Sequence, residues 1–124
     1  DLAGHQTNFE LAKQTISYID SLINRISKST LELDASLIIT SDHGNIEEMF
    51  NYSNGTYDTS HNSNPVPLFL IDKTFYKKRT SEEIALVEKQ AIGNLIDVSP
   101  TVLEILNLKT PPEMTGQSLL KFCR

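Results

Sequence analysis

The sequence lacks the features that define several large protein classes. Its 124 residues include one cysteine, Cys123, so no internal disulfide can form and the composition suits a reducing compartment. No run approaches the roughly 18 apolar residues that a membrane span needs. The opening segment, DLAGHQTNFE, has neither the basic start nor the apolar run of a signal peptide. We therefore expect a cytoplasmic protein without a membrane partner.

Positive charge is also scarce. The net charge is −5 and no basic stripe is present, which argues against a nucleic-acid partner. A small anionic substrate stays compatible with this balance, because bound metal ions invert the local charge.

The length of the chain suits one domain. Because the chain opens on Asp1, in a motif-like setting and without Met, we expect a portion of a longer protein, with the N-terminal part of its domain absent.

Apolar periodicity predicts one long amphipathic helix from Asn8 to about Lys28, packed on a sheet. Its apolar positions recur at spacings of three and four, the pattern of a single helical stripe. Thr7 or Asn8 can cap its start. Two shorter helices are predicted near the C-terminus. Ser81 is the expected cap of the first, and Ser99 that of the second, with Pro100 at its first position.

Two short apolar runs predict strands, Ala35–Thr40 and Pro65–Asp72. Nearly unbroken apolar runs are typical of strands buried on both faces, as in a parallel sheet with helices on either side. The segment 50–64 between them is polar, and Asn54-Gly55 marks a tight turn, so we expect a loop or a small hairpin. The fold class is therefore α/β.

Five metal-capable side chains lie at the predicted strand ends, and they are Asp1, His5, Asp42, His43 and His61. In open α/β sheets, ligands bind beyond the carboxyl ends of the strands, so we expect these groups to meet on one rim. Solvated loop residues are the alternative for each group taken singly. Motifs for other chemistries are missing, since the chain has no G-x-S-x-G, P-loop or G-x-G-x-x-G.

Two aspartates and three histidines offer only oxygen and nitrogen, which suits Mn²⁺, Mg²⁺, Zn²⁺ or Co²⁺ rather than a thiolate-bound metal. Five protein ligands are too many for one catalytic ion with an open position and too few for two complete ones. A two-metal site therefore fits, with its other ligands outside this chain. Such pairs clamp the attacking and leaving oxygens of phosphoryl transfer.

The motifs DLAGH, TSDHGN, SHNSNPVPLFLID and PPEMTGQSLL occur in this order across nearly the whole chain. In this order and spacing they resemble the C-terminal part of cofactor-independent (2,3-bisphosphoglycerate-independent) phosphoglycerate mutase, of the alkaline phosphatase superfamily. D-x-x-G-H and D-H-G are shared across that superfamily, whereas the remaining segments are more specific to the mutase. The resemblance implies a three-layer sandwich with a mainly parallel sheet and helices on both faces.

The resemblance also implies the chemistry. Asp1, His5 and His61 would bind one metal ion, and Asp42 and His43 the other, with Mn²⁺ as the first expectation. A serine outside this chain would carry the phosphoryl group while 3-phosphoglycerate and 2-phosphoglycerate interconvert in glycolysis and gluconeogenesis. No catalytic residue is therefore assigned here, and the inserted substrate domain is expected elsewhere. The full-length enzyme is expected to be a monomer, and the 124-residue chain alone to be inactive.

Two alternatives stay open. The shared motifs also suit another phosphotransferase or phosphatase of the superfamily, such as a phosphopentomutase. A non-catalytic metal-binding or structural module is the alternative of another class. The upstream sequence, with its nucleophile and insertion, would discriminate among the three.

Overall fold

The longest element is helix α1 (Phe9–Glu32) of the computed structural model, which describes residues 1–75 and 78–123. Asn8 caps the helix, because its side chain accepts a hydrogen bond from the backbone N–H of Leu11 at 3.0 Å. The predicted helix and the cap at Asn8 are confirmed, and the helix ends four residues beyond Lys28. Among the described residues, no helix combines the length and apolarity needed to cross a membrane.

The apolar stripe of α1 is less buried than its periodicity predicts. Ala12 is buried, whereas Phe9 is 65% exposed and Ile16 is 52% exposed. The helix contacts strand β4 (Phe69–Ile71). The expectation of a helix packed on a sheet therefore holds for part of the stripe only, because the sheet that contains β4 has two strands among the described residues and leaves the rest of the stripe uncovered.

Strand β1 (Leu37–Ile39) pairs with β4 in antiparallel register, with Ile39 opposite Phe69. Both predicted strands are present, although each is only three residues long and shorter than predicted. The parallel arrangement is wrong for this pair, and β1 is half-buried rather than buried on both faces. Parallel neighbours need a long crossover, usually a helix. The described connection between β1 and β4 contains only a 3₁₀ turn and a hairpin, so the chain returns beside the strand it has just left.

That hairpin consists of β2 (Phe50–Asn51) and β3 (Thr56–Tyr57), paired in antiparallel register. Gly55 turns the chain with φ +72°, a conformation that glycine adopts at little cost. The sequence predicts a loop or a small hairpin for residues 50–64, and the structure has a hairpin in the first part of that segment, between Phe50 and Tyr57. Both described sheets have two strands, so the mixture of helices and strands agrees with an α/β class, while the three-layer sandwich stays a prediction.

Helices α2 (Ser81–Val87), α3 (Val98–Ile105) and α4 (Leu120–Cys123) complete the chain. Both predicted caps are wrong. Thr80 caps α2 through a reciprocal capping box with Glu83. A 3₁₀ turn leads straight into α3, so Pro100 is its third residue, where a missing N–H is still tolerated.

Asp97 is a buried acidic residue in the C-terminal half, 8% exposed. Its carboxylate accepts hydrogen bonds from the backbone N–H groups of Asn94 and Gln117, both at 2.8 Å. These bonds lower the pKa of Asp97. Thr101 accepts a further bond from the N–H of Leu119 at 2.9 Å. This network attaches the segment before α4 to the start of α3.

Candidate metal centre

The antiparallel pairing of β1 and β4 brings two loop segments together. Asp42 and His43 follow the end of β1, and His61 precedes the start of β4 on the same edge. Gly44 and Asn62 form a backbone bridge across the gap, with N–H···O distances of 3.2 and 2.9 Å. As a result, the rings of His43 and His61 stack with their centroids 3.6 Å apart and their planes 16° from parallel.

Asp1, His5 and His61 form a three-residue cluster at this edge. The Oδ1 atom of Asp1 lies 3.1 Å from His5 Nε2 and 3.0 Å from His61 Nε2. The two Nε2 atoms are 3.2 Å apart. A 3₁₀ turn at Gly4–Gln6 brings His5 back over Asp1, whose carbonyl accepts the His5 N–H at 3.2 Å.

These distances fit a shared metal ion. Ligand atoms that bind one ion at about 2.0–2.2 Å lie about 3.0–3.5 Å from one another. The three candidate atoms already have this spacing, and all lie within 4.8 Å of one another. Within residues 1–75 and 78–123, no other three histidine, cysteine or acidic side chains bring their ligand atoms this close together. The cluster could therefore hold one divalent ion.

Asp42 and His43 form a second, smaller group beside the cluster. Asp42 Oδ1 is 3.6 Å from His43 Nε2, and the Asp42 side chain is 87% exposed. Two protein groups seldom complete a catalytic metal site, which usually has three. All five predicted residues thus lie on one edge, three as a compact set and two as a neighbouring pair.

The protonation of His61 also suits a ligand. Desolvation lowers the pKa of His61, and the neighbouring charges of His43 and His5 lower it further. Metals bind the neutral imidazole, so a lowered pKa keeps the required form at neutral pH. The neighbouring imidazoles therefore favour the neutral form of His61, which is the form that binds a metal ion.

A polar network supports these loops. One of its members, Glu47, is not among the site residues that the sequence analysis predicts. The Glu47 carboxylate accepts hydrogen bonds from the N–H of Asn45 at 2.9 Å and from Asn64 Nδ2 at 3.1 Å. Partial burial raises the pKa of Glu47, but hydrogen bonds from the Glu47 and Asn45 backbone outweigh it and lower the pKa overall. An acid in a polar loop gives no sequence signal that separates it from a solvated one.

Gly44 sits where this network passes closest to the backbone. A Cβ atom there would lie 2.1 Å from Asn62 Oδ1 and 2.4 Å from Glu47 Oε1, far inside contact distance. A side chain at position 44 would therefore displace both of these groups.

Comparison with known proteins found a family model and several named relatives that match this chain. A family model described as the metalloenzyme superfamily matches residues 1–110. The chain is 40% identical over 121 residues to a protein named 2,3-bisphosphoglycerate-independent phosphoglycerate mutase from Clostridium botulinum (strain ATCC 19397 / Type A). Proteins of the same name from Ehrlichia canis and Ehrlichia ruminantium (strain Gardel) are 41% and 42% identical. These matches cover 97–98% of this chain but 22% of each relative, so the chain spans about a fifth of their length.

Proposed function

The chain belongs to the metalloenzyme superfamily, and from that premise we propose that it is part of a metal-dependent phosphoglycerate mutase. The reaction would interconvert 3-phosphoglycerate and 2-phosphoglycerate. The observation that carries the proposal is the meeting of Asp1, His5 and His61 beside Asp42 and His43. The name shared by relatives of about 40% identity supports this substrate among those the superfamily could use.

We propose that Asp1, His5 and His61 hold one divalent ion and that Asp42 and His43 contribute to a second. The oxygen and nitrogen donors suit Mn²⁺, with Mg²⁺, Zn²⁺ and Co²⁺ as alternatives. Bound ions would supply Lewis-acid stabilisation of the charged phosphoryl oxygens. The protein's own contribution is to bring a carboxylate and imidazoles within about 3 Å of one another before binding, which lowers the ordering cost.

The nucleophilic serine and the remaining ligands are proposed to lie in the part of such a protein that this chain does not cover. Two observations support this division. The matched relatives are several times longer than the chain, and the side chains of Phe9, Ile16 and Ile26 are each more than half exposed on α1. An apolar stripe of this size is usually covered in the native protein.

We propose that the complete protein acts in the cytoplasm as a monomer.

The test uses the full natural protein. With Mn²⁺ and without 2,3-bisphosphoglycerate, it should convert 3-phosphoglycerate into 2-phosphoglycerate. His61→Ala should abolish this conversion, because it removes a central member of the cluster. Gln14→Ala, an exposed change on α1, is the control and should leave the rate unchanged. Transfer of the phosphoryl group to water, without transfer between the two hydroxyls of glycerate, would instead indicate a phosphatase of the superfamily.

A further inference from the structure

We propose that Asn45 is a positioning residue, which sets the separation of His5 and His61 by contacting the residues that precede each of them. The inference rests on the proposed metal site and adds a function for a residue that is not itself a ligand. It follows from two contacts of the Asn45 side chain and from the anchoring of its backbone, and Asn45 as a whole is 6% exposed.

The first contact holds the backbone before His61. Asn45 Nδ2 donates hydrogen bonds to the carbonyl oxygens of Thr59 at 3.3 Å and Ser60 at 3.2 Å. Both partners are acceptors, so the atom that faces them must be the amide nitrogen. This requirement fixes the amide orientation and directs Oδ1 the opposite way.

The second contact is a close approach to the backbone before His5. Asn45 Oδ1 is buried and has no hydrogen-bond partner within the described part of the chain. It lies so close to Gly4 that a Cβ atom there would be 1.5 Å from it. The oxygen thus occupies the space that the missing side chain of Gly4 leaves. A buried oxygen without a partner destabilises a fold, so its placement calls for an explanation.

Asn45 itself is anchored through its backbone. Its backbone N–H donates to Glu47 at 2.9 Å, and its neighbour Gly44 is bridged to Asn62, the residue after His61. The Asn45 amide therefore extends from an anchored backbone and reaches two segments that are far apart in the sequence.

These contacts matter because packing alone holds the imidazoles loosely. The side chains of His5 and His61 are 40% and 49% exposed. The positions of their Nε2 atoms therefore depend on the backbones that carry them. Asn45 touches the residue before each histidine, so loss of its amide should let the two nitrogens move apart.

The first test measures Co²⁺ binding to the full natural protein and to Asn45→Leu. Leucine has a similar shape but lacks the amide N–H groups that donate to Thr59 and Ser60. By analogy with residues that orient metal ligands, affinity for one ion should fall about 10- to 100-fold. The visible spectrum of bound Co²⁺, which reports ligand geometry, should change at saturation. Asn24→Leu, an exposed change on α1, should match the wild type in both measurements.

A second test addresses the Gly4 contact and remains informative if Asn45→Leu folds poorly. Gly4→Ala should weaken Co²⁺ binding in the wild type, because its new Cβ meets the Asn45 amide. The same change should cost less in an Asn45→Ala background, where the amide is gone, so the two effects should not add.

The outcomes separate the two proposals. Wild-type affinity and an unchanged spectrum in Asn45→Leu would overturn the positioning role, as would equal effects of Gly4→Ala in both backgrounds. In either case a wild-type protein that binds Co²⁺ would leave the metal site intact. Failure of the wild-type protein to bind Co²⁺ would overturn the metal site and the positioning role together.

Discussion

Gly44→Ala should open the backbone bridge that places His43 beside His61. The new Cβ atom would lie 2.1 Å from Asn62 Oδ1 and 2.4 Å from Glu47 Oε1, so both groups must move. Each accepts a hydrogen bond from Asn64, from its N–H at 3.0 Å and from its Nδ2 at 3.1 Å. Losing two hydrogen bonds, each with a net value of about 0.5–1.5 kcal/mol, should destabilise the bridge by about 1–3 kcal/mol.

Amide hydrogen exchange measures this loss locally, at the bridge itself. The N–H of Asn62 donates to Gly44 O at 2.9 Å and reports on the bridge directly. A loss of about 1.4 kcal/mol corresponds to a factor of ten in the exchange rate. In the metal-free full-length Gly44→Ala variant, the N–H of Asn62 should therefore exchange about 5- to 150-fold faster than in the metal-free wild-type protein. Metal affinity should fall in the same variant, because the two histidines are no longer held together.

Gly55→Ala is the matched control. Nothing lies within 4 Å of a Cβ at that position, and its φ of +72° gives a cost from backbone strain alone. It should loosen the hairpin turn and leave exchange at Asn62 unchanged. If Gly44→Ala exchanges at Asn62 like the wild type, the close approach at Gly44 does not hold the bridge and the reasoning is refuted.

Three further predictions follow from other parts of the fold. His61→Ala should remove one bound divalent ion and spare part of the affinity for the second, as titration calorimetry would show; loss of neither would contradict the assigned cluster. Thr80→Ala removes the capping box of α2 and should cost about 1 kcal/mol, seen as faster amide exchange at Glu83; unchanged exchange would argue against the cap. Asp97 has a lowered pKa, so its stabilisation is present above the ordinary value of 3.8 and is lost as pH falls through the lower folded value. Exchange at Gln117, corrected for its intrinsic pH dependence, should therefore show lost protection in acid, and constant protection would contradict this.

The place of the candidate site was predictable from the sequence, although part of the reasoning was wrong. Asp42 and His43 were expected at a strand end because polar ligand types follow an apolar run there. His61 was expected at the same edge because it lies in the loop that leaves this edge, before the chain returns through the sheet. The antiparallel return from β1 to β4 achieves the same meeting by a shorter path. The five side chains therefore meet because they lie at the strand ends, whichever way the strands run. Metal binding itself stays a prediction.

Other features depend on tertiary contacts that periodicity does not contain. The spacing of apolar residues in α1 predicts an apolar stripe, but it does not show which residues pack against that stripe. The exposure of Phe9 could therefore not be predicted. Thr80 and Ser81 are both good caps, and only the reach of Glu83 decides between them. The contacts of Asn45 join segments 14 or more residues apart, which no local pattern reports.

Diffraction from crystals of the full natural protein grown with Mn²⁺, recorded at the manganese absorption edge, tests the central claim most directly. We expect one anomalous peak within about 2.0–2.3 Å of Asp1, His5 and His61, and a second beside Asp42 and His43. Manganese bound elsewhere, with these three side chains free of it, would contradict the account.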